Sequence, residues 1–196
     1  MRFWFLLVLA AVALGQSPRA VYEQAVADFR AGRIEKSVEG FDRLAKMSPG
    51  DAPHLWQRGI ALYYAKRFGD CKAQFESHRT VNPNDVENAA WHFLCVARMM
   101  PIEKARAALL PVGPDARVPM REVYRMFKGE LTAEEVKAAA KGNAEASFYA
   151  DLYVGLYCEA LGKAGCAREH IEAAARAEEG GYMHMVAEVH ARLLAK

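Results

Sequence analysis

The chain repeats itself at a spacing of 34 residues. Slid by that amount, Ala25 falls on Gly59, Phe29 on Tyr63, Ile34 on Phe68, Ser37 on Cys71, Phe41 on Phe75 and Pro49 on Pro83. The strings SPGD (Ser48 to Asp51) and NPND (Asn82 to Asp85) coincide. The clearest copy runs from Leu55 to Pro83. Leu55, Gly59 and Leu62 line one helical face, and Cys71, Phe75 and His78 line another. Pro83 stops the second helix, because a ring without an N–H cannot continue the hydrogen-bond ladder. Two helices of this length carry an apolar face that they cannot bury against each other alone, so each pair needs a neighbour.

A 34-residue helix–turn–helix period is that of the tetratricopeptide repeat, and the chain resembles that class. The expected fold is therefore all-α: an α-solenoid of stacked antiparallel helix pairs closed by a C-terminal capping helix. The small residue (Ala25, Gly59) lets the helices of a pair approach. The large one (Phe41, Phe75) fills the space between pairs. Repeats are expected at about 18–51, 52–85 and, in degenerate form, 86–110, within one domain spanning 16–196. Ser17-Pro18 opens the first helix as N-cap and first helical residue, and Ala31-Gly32-Arg33 forms the first internal turn. An insertion is expected over 111–147. Pro111, Gly113, Pro114 and Pro119 make its first part a loop that leaves the solenoid path. Two short helices follow, Arg121 to Phe127 and one opened by the Thr132–Glu135 capping box. The pattern returns near Phe148, with Gly155 in the small position, Gly162 in the turn and Ile171 in the large position. A last helix, about Tyr182 to Leu194, caps the array over 148–196.

Residues 1–15 read as a signal peptide: Arg2, an apolar run from Phe3 to Leu14, and Ala13-Leu14-Gly15 for cleavage near Gly15. An uncleaved anchor is the alternative. Twelve apolar residues are few for a span, which takes about 20. No cysteine follows the run, so there is no site for lipid attachment. The expectation is export, to the periplasm or beyond, with no stable membrane span after cleavage. A formal charge of +2, from 26 basic and 24 acidic residues, is no footprint for nucleic acid.

The order of elements narrows the resemblance. RGIALYY (Arg58 to Tyr64), the Pro83–Asp85 turn, Phe148-Tyr149 and the Gly155–Gly162 segment look like the NlpI-type bacterial envelope lipoproteins over nearly the whole mature chain. That resemblance implies a helical, often homodimeric scaffold that brings an envelope protease and cell-wall hydrolases together. The lipidated cysteine of that family is missing here, so membrane anchoring is not implied.

Chemistry of the chain's own is not expected. There is no Gly-rich phosphate loop, no G-x-S-x-G and no H-E-x-x-H, so no catalytic residue and no cofactor is assigned. Cys166 and His170, with Cys158, could form a three-ligand metal corner; the alternative is a core cysteine beside a surface histidine, or a disulfide. His92 and Cys95 are a weaker pair of the same kind. Four cysteines in an exported chain suggest disulfides. Cys158 with Cys166, and Cys71 with Cys95, are the candidate pairs; four buried thiols are the alternative.

Function is expected on the concave face, lined by the first helix of each pair. The partner-binding candidates are Tyr22, Phe29, Trp56, Ile60, Tyr63, Tyr64 and Arg98, an aromatic groove suited to an extended peptide or a partner's helix. Val26, Leu94, Tyr149, Leu152 and Leu156 share that face. The alternative is a capping helix that folds back and fills the groove. The carboxylate clamp of chaperone-binding repeats is absent, since its positions hold Tyr22, Val26, Gln57, Glu87 and Trp91. Three functions follow: an exported adaptor binding protein partners, a structural subunit or homodimer acting through its outer surface, or a metal-dependent hydrolase.

Overall fold

The computed structural model describes residues 16–178 and 180–195; the expected signal peptide lies outside the described residues. Among the described residues every α or 3-10 element is helical and there is no strand. The α-helices are α1 (Pro18–Arg30), α2 (Ile34–Met47), α3 (Trp56–Tyr64), α4 (Phe68–Arg79), α5 (Val86–Ala97), α6 (Ile102–Ala107), α7 (Met120–Lys128), α8 (Ala133–Ala140), α9 (Ala144–Ala160), α10 (Ala164–Ala175) and α11 (Gly181–Leu194). One 3-10 turn, Ala52–His54, precedes α3. None of these helices is long and apolar enough to cross a membrane.

Local chemistry sets the boundaries. Ser17 Oγ accepts from Ala20 N–H and Pro18 takes the first turn of α1. Asp85 caps α5, and Thr132 and Glu135 form a reciprocal capping box on α8. Asn143 accepts from Ala146 N–H, so α9 begins four residues before Phe148, earlier than the apolar pattern alone places it. The α6 helix ends at Ala107, short of the expected Leu110. The turns between α1 and α2 and between α9 and α10 use a left-handed residue, Gly32 and Gly162 (φ +72° for both). The turn between α3 and α4 puts Lys66 in that same conformation (φ 59°).

Helices pack in chain order: α1 on α2, α2 on α3, α3 on α4, α4 on α5, then α7 on α5, α8 on α7, α9 on α8, α10 on α9 and α11 on α10. Small-against-large contacts hold two of the hairpins. A Cβ on Gly59 would lie 2.7 Å from the Phe75 ring, and one on Gly155 would lie 2.7 Å from Ile171 Cγ1. In the first hairpin Gly40 faces Ala25 instead: a Cβ on Gly40 would lie 2.8 Å from Ala25 Cβ. The α9–α10 pair is antiparallel, since Cys158 meets Cys166 near the turn while Gly155 meets Ile171 farther from it. One apolar core runs through the array, with Phe29, Phe41, Phe75, Trp91, Phe93, Phe127 and Tyr153 all fully buried.

One feature departs from expectation, and a second is the stated alternative in which the last helix folds back. The 111–119 loop does not leave the array. It is tied back onto the α4–α5 connection by Gly113 N–H to Pro83 O (3.1 Å), Arg79 Nε to Pro111 O (3.0 Å) and Asp115 Oδ2 accepting from Val86 N–H (3.3 Å). The series is also closed rather than open, because α11 reaches back to touch α1.

Candidate functional site: the concave face and its residual cavity

The last helix, α11, is seated against side chains of α1 and α3, two of the helices expected to line the inner face. Tyr182 stacks on Phe29 (centroids 5.7 Å) and meets Trp56 edge-on (4.9 Å). The Tyr64 hydroxyl lies 2.9 Å from His190 Nδ1, and Arg192 donates to the carbonyl of Arg30 at 2.6 Å. The groove is therefore filled along most of its length. Phe29, Ile60 and Tyr63 are core side chains, covered by this packing, and present no surface to a partner. Tyr22, Trp56 and Tyr64 remain half-buried, and Arg98 keeps its head group at the surface. Tyr22 is held by Gln57 Nε2, which donates to its hydroxyl (2.9 Å).

A polar network stitches α11 to the face. Arg98 donates from Nε to the Tyr63 hydroxyl (3.0 Å) and from Nη2 to Glu159 Oε1 (2.7 Å), and His190 Nε2 lies 3.3 Å from Glu159 Oε2. Burial, with the charge of Glu159, pushes the Tyr63 hydroxyl up to about 12. Burial also opposes ionisation of Glu159, yet His190 and Arg98 together outweigh it and hold that carboxyl below its ordinary value.

The covering is incomplete. A cavity of about 340 Å³ lies where α3, α4, α5, α9 and the start of α11 converge with the 111–119 loop. Its walls are aromatic: Trp56, Phe75, Trp91, Tyr149 and Tyr182. Its polar groups are unusual for a protein interior. His78 Nδ1 lies 2.8 Å from the carbonyl of Pro53, which can only accept, so Nδ1 carries a proton and, in the neutral ring, Nε2 is left as the acceptor. That Nε2, Asn88 Oδ1, Trp91 Nε1 and the Tyr182 hydroxyl are all buried without a partner among the described residues. Such groups cost stability unless something else satisfies them.

At the cavity's charged end, Arg117 reaches Asp85 (2.8 Å), Glu87 (2.5 Å) and Asp115 (2.6 Å). The second oxygen of Glu87 accepts from the Tyr153 hydroxyl (2.5 Å). Burial raises the Glu87 carboxyl, and nearby Asp85 raises it further, against the pull of Tyr153 and Arg117. His78, Asn88, Glu87 and Arg117 were not among the sequence candidates. The signal available was an acidic and amide-rich run, Asn82 to Asn88, and a lone arginine inside a proline-rich loop.

The cysteines lie elsewhere. Cys71 is joined to Cys95, and Cys158 to Cys166, with Cα–Cα separations of 6.0 and 5.8 Å. The metal corner considered for Cys158, Cys166 and His170 does not form: both sulfurs are spent in a bond, and His170 Nδ1 pairs with Asp151 (2.8 Å). Cys95 is likewise unavailable to His92. Among the described residues no group of three or more His, Cys, Asp or Glu side chains is placed to hold a metal ion.

No protein-family model matches the chain, and no curated protein matches it.

Proposed function

We propose that the chain is an exported scaffold of tetratricopeptide type, resembling the NlpI-type envelope proteins without their lipid anchor. It binds a partner protein and carries no catalysis of its own. The 34-residue period, the helix hairpins that coincide with it and the close contacts at Gly59 and Gly155 support the repeat assignment. Two disulfides suit an oxidising compartment. The observation that carries the binding reading is the open cavity on the concave face, with aromatic walls and unpartnered polar atoms. With α11 in the groove, a partner inserts a side chain at this end rather than laying a long peptide along the face.

The test is retention of envelope proteins on the immobilised mature chain. Wild type is expected to retain a defined partner, an envelope protease or wall hydrolase in the NlpI-type reading, and Trp56→Ala to lose it. No retained partner, or retention equal in Trp56→Ala, overturns the concave-face reading. A second reading, a structural subunit or homodimer acting through its outer surface, is favoured by the exposed Met99 and Met100 in the turn after α5 (45% and 54% exposed). It predicts a dimer by light scattering that Met99→Ser with Met100→Ser dissociates.

A further inference from the structure

We propose that the concave-face cavity is a recognition site for an N–H-bearing organic cation, the ammonium or guanidinium head of a basic side chain or of a free alkylamine. Under the scaffold reading, on which only this source assignment rests, the cation is a lysine or arginine of the partner.

Three independent features of the cavity converge on that chemistry. The first is hydrogen-bonding type. Asn88 Oδ1 and, in the neutral ring, His78 Nε2 are acceptors of lining residues at most 4% exposed, and neither has a partner among the described residues. A ligand that satisfies them must bring N–H or O–H donors. A purely apolar ligand would leave them, and Trp91 Nε1, unpaired in a drier site than before. The second is charge. Among the described lining residues the only cationic side chain, Arg117, is already shared among Asp85, Glu87 and Asp115. Three carboxylates on one guanidinium leave this end negative, although the chain as a whole is formally +2. An anionic ligand would find no unshared positive charge there. The third is the wall. Trp56, Trp91, Tyr149 and Tyr182 line it from four different helices; Tyr182, Trp91 and Tyr149 each stack one face, on Phe29, Phe75 and Tyr153 respectively, and a ring face left over at such a site attracts a cation.

The chain carries its own reporter. Of its three tryptophans, Trp56 and Trp91 line the cavity, and the third, Trp4, lies in the leader. In the full chain carrying Trp4→Phe, all indole emission comes from the cavity wall. The probes are the N-acetyl methylamides of lysine, arginine, trimethyllysine and norleucine, with cadaverine as the free amine. Calorimetry is run beside fluorescence. The lysine or arginine probe is expected to shift the emission and to bind about tenfold or more tighter than norleucine. Trimethyllysine, a cation without N–H donors, is expected to bind more weakly than lysine. Glu87→Gln, which removes one charge, and Asn88→Leu, which removes one orphan acceptor, are each expected to erase the preference over norleucine. Circular dichroism identifies a variant that fails to fold, and the other then decides. Cadaverine binding as well as acetyl-lysine identifies a free amine as sufficient; binding of the amino-acid probes alone identifies a side chain of a partner.

Equal binding of lysine and norleucine probes, or no emission shift with any probe, overturns the cation assignment and leaves a water-filled polar cavity. If that happens while the immobilised chain still retains a partner sensitive to Trp56→Ala, the scaffold reading stands without it. If the amines bind but no partner is retained, the cation site stands and the scaffold reading falls.

Discussion

Lys66 occupies a backbone conformation that costs an L-residue about 1 kcal/mol or more, whereas Gly32 and Gly162 adopt it in the corresponding turns of other hairpins without a Cβ to clash. Lys66→Gly is accordingly expected to raise stability by about 1 kcal/mol in a denaturant titration, less what the freer unfolded chain takes back. The opposite sign is expected at Gly155. An alanine there would press on Ile171 Cγ1 at 2.7 Å and on the Ile171 backbone nitrogen at 3.0 Å, so the hairpin must splay. Overpacking of this kind costs about 1–3 kcal/mol, measurable as a drop in the denaturation midpoint. Gly59 has a softer neighbour, since the Phe75 ring can tilt, and its alanine variant is expected to lose less.

At the scale of the element, α11 decides what the concave face can do. Tyr182 anchors its start between Phe29 and Trp56, and His190 anchors its middle through Tyr64 and Glu159. Tyr182→Ala is expected to cost about 2–3 kcal/mol through lost aromatic burial, with near-ultraviolet dichroism reporting the loosened rings. The Glu159 carboxyl is held below its unfolded value, so its contribution is present above about pH 4.3 and is lost as pH falls through its depressed folded value. Glu159→Gln should therefore flatten the acid limb of the stability profile while also lowering stability at neutral pH. That α11 folds back onto the inner helices stood in the sequence as one of two alternatives, and nothing local chose between them. Its apolar residues announce a helix that must cover something, but its choice of the inner face depends on contacts as distant as Arg192 with Arg30. Hairpin turns were legible, because Gly32 and Gly162 mark them locally. The start of α9 was misplaced because Asn143, its cap, reads equally well as part of a loop. The cavity escaped notice for a related reason: its orphan atoms come from α4, α5 and α11, and no spacing in the chain reveals that they converge.

For the whole molecule, the two disulfides staple hairpins rather than distant parts. Cys71–Cys95 spans 24 residues across the α4–α5 hairpin, and Cys158–Cys166 spans 8 across the α9–α10 turn. The chain-entropy model gives each about 2–4 kcal/mol. Alkylation of the oxidised protein is expected to modify no cysteine, and alkylation after reduction in denaturant to modify four. Removing the longer bridge as Cys71→Ala with Cys95→Ala should lower the melting temperature more than removing the shorter one.

The contact between the first helix and the last bears on how many units such a chain can hold. An open stack grows by duplication, since a new pair merely lengthens the rod. Here an extra copy of residues 52–85 would have to carry the final helix away from the first, uncovering Phe29 and Trp56 together. Additional length is therefore expected to be tolerated where it leaves the contact between α1 and α11 intact.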